Sequence, residues 1–211
     1  VSVLGVLFVA GVKLKQFMIV AFLGCVGIFL MIALVPWRWE RIISFIDPWS
    51  NPWSSGYQLT LSLMSIGRGD WFGVGLGEGI MKMGYLPDAH TDFIFSVIVE
   101  ETGIMGGLLI VALLFGLSFR IFFIGRESLI RKNFFGFYYS YGVALLLGLH
   151  TFINVGVACG LLPTKGLTLP LISYGGTNLL IVCLMIGLVL RVDYENKNSM
   201  PIATIKRRAE F

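Results

Sequence analysis

Charge is scarce in this chain. Asp, Glu, Lys and Arg make up 13% of its 211 residues, against 56% hydrophobic residues, and the mean hydropathy is +0.85. A soluble domain carries about 25% charged residues, so a soluble globular protein is excluded and an integral membrane protein is indicated. Only two histidines are present. The three cysteines, Cys25, Cys159 and Cys183, all lie in apolar runs with no paired spacing, which argues against a disulfide framework or a zinc site. The glycine run Gly67, Gly69, Gly73, Gly75, Gly77 and Gly79 is not closed by a Lys-Ser/Thr pair, and no strand–turn–helix unit surrounds it. It is therefore not a nucleotide loop, and no nucleic-acid partner is expected. No basic stretch precedes the first apolar run, so no cleavable leader is expected.

What is present is a series of long apolar runs. A bilayer-crossing helix takes about 20 residues. Residues 1–11 fall short of that and read as the end of a truncated helix. Full spans are expected at 17–36, 93–117, 134–160 and 167–190. The expected fold is thus all-α and polytopic: four full transmembrane helices plus part of another, forming one membrane domain over 1–211. A long outer loop covers 37–91, a basic connector covers 120–132, and a polar tail covers 191–211.

Eleven of the sixteen Lys and Arg residues fall on one side of these spans: Lys13, Lys15, Arg120, Arg126, Arg131, Lys132, Arg191, Lys197, Lys206, Arg207 and Arg208. Positive charge marks the cytoplasmic side, and these residues suit contacts with anionic membrane lipids. The opposite side, with Arg38, Arg41, Arg68, Lys82 and Lys165, faces outward. All five tryptophans (Trp37, Trp39, Trp49, Trp53, Trp71) lie in or beside the outer loop, as expected of a segment at headgroup level. Within it, Gln58, Ser62 and Ser65 share one helical face, and Leu59, Leu63 and Ile66 share another. That pattern predicts a short helix lying in the interface. The glycines that follow argue against continued helix.

The stretch Tyr85 to Phe95 ends the outer loop and carries Asp88, His90 and Asp92. Ionisable residues where a polar loop meets a span default to a functional reading, and Asp92 is the candidate catalytic residue. An alternative is a helix N-cap, which is compatible with catalysis because the helix dipole favours the ionised carboxylate. Asp92, Ser96 and Glu100 are spaced four apart and share a helix face, continued by the small pair Gly103 and Gly107. His150 and Asn154 lie at a similar depth on the next span. Glu100 or Glu101 is therefore expected to pair with His150 or Asn154 in a structural polar cluster. Ser173, Tyr174, Thr177 and Asn178 add polarity to the outer half of the last span. These groups outline a cavity opening outward.

Residues 41–178 resemble the SEDS family of bacterial shape, elongation, division and sporulation proteins. The resemblance rests on Ser44-Phe45-Ile46-Asp47-Pro48-Trp49, on Gly56-Tyr57-Gln58-Leu59, and on the run from Gly67 to Gly77. It continues through Leu86 to Phe95, Gly160 to Pro170, and Ser173-Tyr174-Gly175-Gly176. Gln58 and the Pro163-Thr164-Lys165-Gly166 form tilt the match toward the cell-division branch. The family has ten transmembrane helices, so the chain looks like its last four with part of the sixth.

The resemblance implies peptidoglycan glycosyltransferase activity on lipid II at the outer face of the inner membrane, with Asp92 at the family's catalytic aspartate. It further implies a class B penicillin-binding transpeptidase and divisome activators as partners. An α-linked donor and a β-linked polymer require inversion, which needs one base and no covalent intermediate. Arg68 and Lys165 are the candidates to neutralise the departing pyrophosphate. Asp88, His90, Thr164 and Ser173 complete the expected substrate-binding set. A divalent cation, magnesium or manganese, could share the neutralisation, but no ligand cluster identifies one. A lipid II flippase or transporter, and a non-catalytic divisome scaffold, are the rival readings.

Overall fold

Four helices in a computed structural model of the chain are long and apolar enough to cross a bilayer. The structure describes residues 2–11, 13–35, 41, 43–54 and 56–198, with the side chains of Ile28 and Ile32 left aside. Trp37, Arg38, Trp39 and the end of the tail from residue 199 lie outside the described residues. In chain order the helices used below are α1 (Ser2–Val9), α2 (Leu14–Ala33), α3 (Tyr57–Gly69), α4 (Ile94–Ile130), α5 (Phe134–Ala158) and α6 (Gly176–Asn198), with a 3-10 turn at Met81–Met83. No strand occurs among the described residues. The protein is an all-helical, multi-pass membrane protein.

Helices α4 and α5 form an antiparallel hairpin. Asn133 starts α5, its side-chain oxygen accepting from the Gly136 N–H at 3.0 Å, which satisfies one of the free donors of the first turn. A Cβ on Gly125 would stand 3.1 Å from Ser140 Cβ. Small residues at such crossings let membrane helices approach where lipid offers no hydrophobic drive. Helix α6 closes the pair through Ile121, Ile124, Val143, Ala144, Leu147, Val182, Val189 and Val192. Helix α1 lies on α5, with Val6 beside Gly142, and none of the described side chains in the membrane-length part of α2 is buried.

All four expected spans differ in their boundaries from the helices observed. Residues 120–130 are not a connector, because α4 runs on to Ile130. The last span begins at Gly176 instead of 167, because Leu169 to Ser173 folds into a turn with Leu171 at φ 65. The spans expected at 17–36 and 134–160 are Leu14–Ala33 and Phe134–Ala158.

The larger difference lies within α4. At about 1.5 Å per residue its 37 residues would extend about 55 Å, well beyond a hydrocarbon core of about 30 Å. The helix is broken at Gly103, which sits at φ 75, ψ 179, a conformation essentially closed to residues with a Cβ. The loop after α3 fills the break. Val74 and Gly75 donate their N–H groups to the carbonyls of Glu100 and Glu101, at 3.0 and 3.1 Å. Ile104 and Met105 donate to the carbonyls of Asp70 and Trp71, at 2.9 and 3.4 Å. Backbone freed inside a bilayer must find such partners. Gly103 therefore admits this loop, and is not the helix-packing step expected of a small pair. The room beside Gly107 is taken by Val99 and Phe95 of the same helix.

Candidate active site

The polar face of helix α3 does not look to water but is buried against its neighbours. Ser62 and Ser65 are fully buried. The Ser62 hydroxyl is 2.6 Å from that of Ser96 and donates to the Ala158 carbonyl at 2.8 Å, while Ser65 donates to the Ser96 carbonyl at 3.0 Å. Hydroxyls at this spacing served equally well as a docking face against α4. The closest approach is at Gly69, where a Cβ would fall 2.0 Å from the Val99 carbonyl oxygen. Trp49, Trp53 and Trp71 are exposed.

Glu100 pairs with neither His150 nor Asn154. Its carboxylate, 0% exposed, accepts from Arg68 at 3.3 Å, Ser65 at 3.4 Å, and the N–H groups of Ile80 and Met81 at 3.1 and 3.3 Å. Glu101 accepts from Lys82 at 2.5 Å and the Gly77 N–H at 3.0 Å. The two adjacent carboxylates thus fasten the 77–82 loop to the first half of α4. Arg68, expected at the substrate, is held by Glu100, although its side chain remains 40% exposed. The His150 side chain has no hydrogen-bond partner among the described residues.

Asp92 precedes α4 by two residues, and the N-cap position belongs to Phe93, with no side-chain cap bond. Its carboxylate is therefore not spent on capping. The turn that presents it is organised by Asp88, at φ 54. The Asp88 carbonyl accepts from the N–H groups of Thr91, Asp92 and Phe93 at 3.1, 3.1 and 3.2 Å, and from the Thr91 hydroxyl at 3.2 Å. Leu86, Ala89 and Phe93 anchor this turn in a buried cluster with Val97 and Val157. Burial first, and the neighbouring Asp88 carboxylate second, hold the Asp92 carboxyl above its ordinary range.

A second loop, 161–175, lies against this turn. Ser173 donates to the Thr91 carbonyl at 2.6 Å and accepts from the Leu169 N–H at 2.7 Å. The Tyr174 N–H donates to the His90 carbonyl at 2.9 Å. Asn154 donates to the carbonyls of Asp92 and Leu167, at 2.9 and 2.6 Å. A Cβ on Gly166 would stand 3.0 Å from Asp92 Oδ2, so the Lys165-Gly166 turn sits directly beside the carboxylate. Lys165, Asp88 and His90 are exposed and Thr164 is half-buried.

Asp92, Gly166 and Lys165 are thus brought together, whereas the Ser173 hydroxyl is occupied in joining the two loops. Arg41 was not singled out by sequence, yet its guanidinium donates to the Thr164 carbonyl at 3.4 Å. Its place just before the Ser44–Trp49 motif was the available signal. Among the described residues no three His, Cys, Asp or Glu side chains group closely enough to hold a metal ion.

These features define a polytopic helical membrane protein with a carboxylate-centred site where two loops meet the ends of its spans. The family model described as "Cell cycle protein" (FtsW, RodA, SpoVE) matches residues 1–198. The chain belongs to that family, the same one its motifs resemble. It is 48% identical over 195 residues to the "Probable peptidoglycan glycosyltransferase FtsW" of Aliivibrio salmonicida, covering 92% of this chain and 49% of that protein. To the Coxiella burnetii protein of the same name it is 49% identical over 195 residues, covering 92% and 52%. The chain spans about half the length of the curated relatives it matches. A solved structure described as "Structural coordination of polymerization and crosslinking by a peptidoglycan synthase complex" superimposes with a TM-score of 0.68 at 28% identity, covering 92% of this chain and 53% of that one.

Proposed function

We propose that the protein is a peptidoglycan glycosyltransferase that polymerises lipid II at the outer face of the bacterial inner membrane during septal wall synthesis. The observation that carries this reading is the Asp92 carboxylate: half-buried, unbonded among the described residues, and set beside the exposed Lys165 turn. In the reaction, the oxygen of an attacking sugar hydroxyl bonds to the anomeric carbon on the face opposite the diphosphate. Asp92 takes the hydroxyl proton. The old carbon–oxygen bond breaks, and its electron pair leaves with undecaprenyl pyrophosphate. Lys165 supplies positive charge for that leaving group. Arg68 is a secondary candidate, since approaching the diphosphate would mean leaving Glu100. Among the described residues no third carboxylate, imidazole or thiol groups with Asp88 and Asp92, so a magnesium or manganese ion there would depend on the diphosphate for further ligands.

The excess of Lys and Arg at the Ile130 end supports an outward-facing Asp92. The crosslinking partner of this reading is a class B penicillin-binding transpeptidase with a single membrane helix, acting with divisome activators. An apolar groove of about 350 Å³ between α4 and α5, lined by Phe115, Phe119, Phe122, Tyr141, Leu145 and Phe152, suits such a helix.

The test is polymerisation of purified lipid II by the intact protein with its transpeptidase, with and without Asp92→Asn. Loss of about 10²–10⁴-fold is the expected result for removal of a general base. Polymer yield unchanged by the substitution would overturn the base assignment and favour a transporter or a scaffold.

A further inference from the structure

We infer that Asn154 is a positioning residue for the Asp92 base: its one amide ties the Asp92 carbonyl to the Leu167 carbonyl and so sets the distance of the Lys165-Gly166 turn from the carboxylate. The inference rests on the reading of Asp92 as the base.

Asn154 lies on α5, 1% exposed, and both hydrogen bonds from its nitrogen cross to other segments: one to the residue that bears the carboxylate, one to the residue after Gly166. Two carbonyl oxygens facing each other repel, and a group with two N–H donors must stand between them. Asparagine supplies those donors on a short stem, serine would supply one, and an ionised aspartate none. The Asn154 side-chain oxygen is buried without a hydrogen-bond partner among the described residues. An apolar residue of similar size would carry no such unsatisfied acceptor, so packing alone does not explain an amide here.

The other ties between the two loops lie elsewhere. Ser173 and Tyr174 hold the far end of the 161–175 loop to Thr91 and His90. Among the described residues, Asn154 is the tie that joins the near end, next to Lys165, to the Asp92 turn, while Arg41 meets the neighbouring Thr164 carbonyl from outside the two loops. Without Asn154 the two loops stay docked, but the turn carrying the cation is freed from the base. The expected signature is a loss of turnover with substrate affinity largely kept.

The experiment uses the intact protein with purified lipid II. Asn154→Ala and the near-isosteric Asn154→Asp are each expected to lower kcat about 10²-fold, the scale of a misplacement of about 1 Å, with little change in KM. Introduced into Asp92→Asn, Asn154→Ala should cause no further loss. Hydrogen–deuterium exchange should rise in peptides covering 164–168 and 91–93, and stay unchanged over 172–174. Wild-type turnover in Asn154→Asp, losses that multiply in the double variant, or exchange rising across the whole protein would each overturn the inference. Failure of the base assignment itself appears separately, as full activity in Asp92→Asn alone.

Discussion

The Arg68 guanidinium lies 3.3 Å from the Glu100 carboxylate, and the two residues come from different elements, α3 and the first half of α4. Glu100 is fully buried, whereas Arg68 is 40% exposed. Removing the carboxylate would let the arginine turn to water, but would leave the Ile80 and Met81 N–H groups without their acceptor. Each buried donor so orphaned costs about 1–3 kcal/mol. Glu100→Ala is therefore expected to destabilise by about 2–6 kcal/mol, and Glu100→Gln by less, since a neutral amide oxygen still accepts. Thermal unfolding in detergent measures both. Equal midpoints for wild type and Glu100→Ala would mean that this carboxylate does not fasten the loop.

Gly103 gives a sharper contrast. Its φ of 75 is strained for any residue with a Cβ, and that Cβ would stand 2.2 Å from the Trp71 carbonyl oxygen. Gly116, on the same helix, has nothing within 4 Å. Gly103→Ala should lower stability by about 3 kcal/mol or more, through backbone strain and loss of the bonds that fill the break. Gly116→Ala should be neutral or stabilising by about 0.5–1 kcal/mol. Comparable losses in both would point to a general intolerance of α4 to substitution.

Much of this architecture was legible, and the misses share a cause. Hydropathy located four spans because bilayer thickness fixes run length, and the motif around Asp92 stands out as charge placed where charge is expensive. Glu100 was misassigned because helical counting matches depths only between helices that cross the bilayer unbroken. The loop carrying Ile80 and Met81 was not visible as a competing neighbour. Gly103 read as a packing glycine for the same reason: nothing local marks which of Gly103, Gly106 and Gly107 takes a positive φ. The burial of Ser62 and Ser65 is not legible in their spacing, because a row of hydroxyls does not distinguish a face toward water from one docked on a partner helix. The bonds from Ser173 and Asn154 to the Asp92 turn join residues 62 to 82 positions apart, a distance over which one sequence carries no pairing signal.

Burial and the Asp88 charge both raise the Asp92 pKa, which gives activity and stability opposite signs. A base works when deprotonated, so turnover should fall as pH drops through the raised Asp92 pKa. Asp88→Asn removes the like charge, and the acid limb should move to lower pH. For stability, a carboxyl with a raised folded-state pKa favours the fold below its unfolded value, and this contribution is lost as pH rises through the folded one. Asp92→Asn should therefore be somewhat more thermally stable than wild type at neutral pH while nearly inactive. A pH–rate profile with an acid limb unmoved by Asp88→Asn would disconnect the two carboxylates.

On the proposed reaction, the positive charge needed at the leaving group predicts an order among variants of Lys165. This side chain is exposed and lies in the turn whose glycine adjoins Asp92, so its ammonium can reach a diphosphate without leaving another partner. Arg68 lacks that freedom while Glu100 holds it. Lys165→Arg keeps the charge and should retain much of the activity, whereas Lys165→Ala should lose at least about 10-fold, on the scale of one charge-assisted bond of about 1.5–3 kcal/mol. Arg68→Ala should act mainly through stability, lowering the unfolding midpoint toward that of Glu100→Ala, with turnover per folded molecule nearly unchanged. Polymerisation rates normalised to folded protein separate these effects. If Arg68→Ala lost turnover at wild-type stability while Lys165→Ala did not, the diphosphate would sit at the α3 end of the site, and the Lys165 assignment would fail.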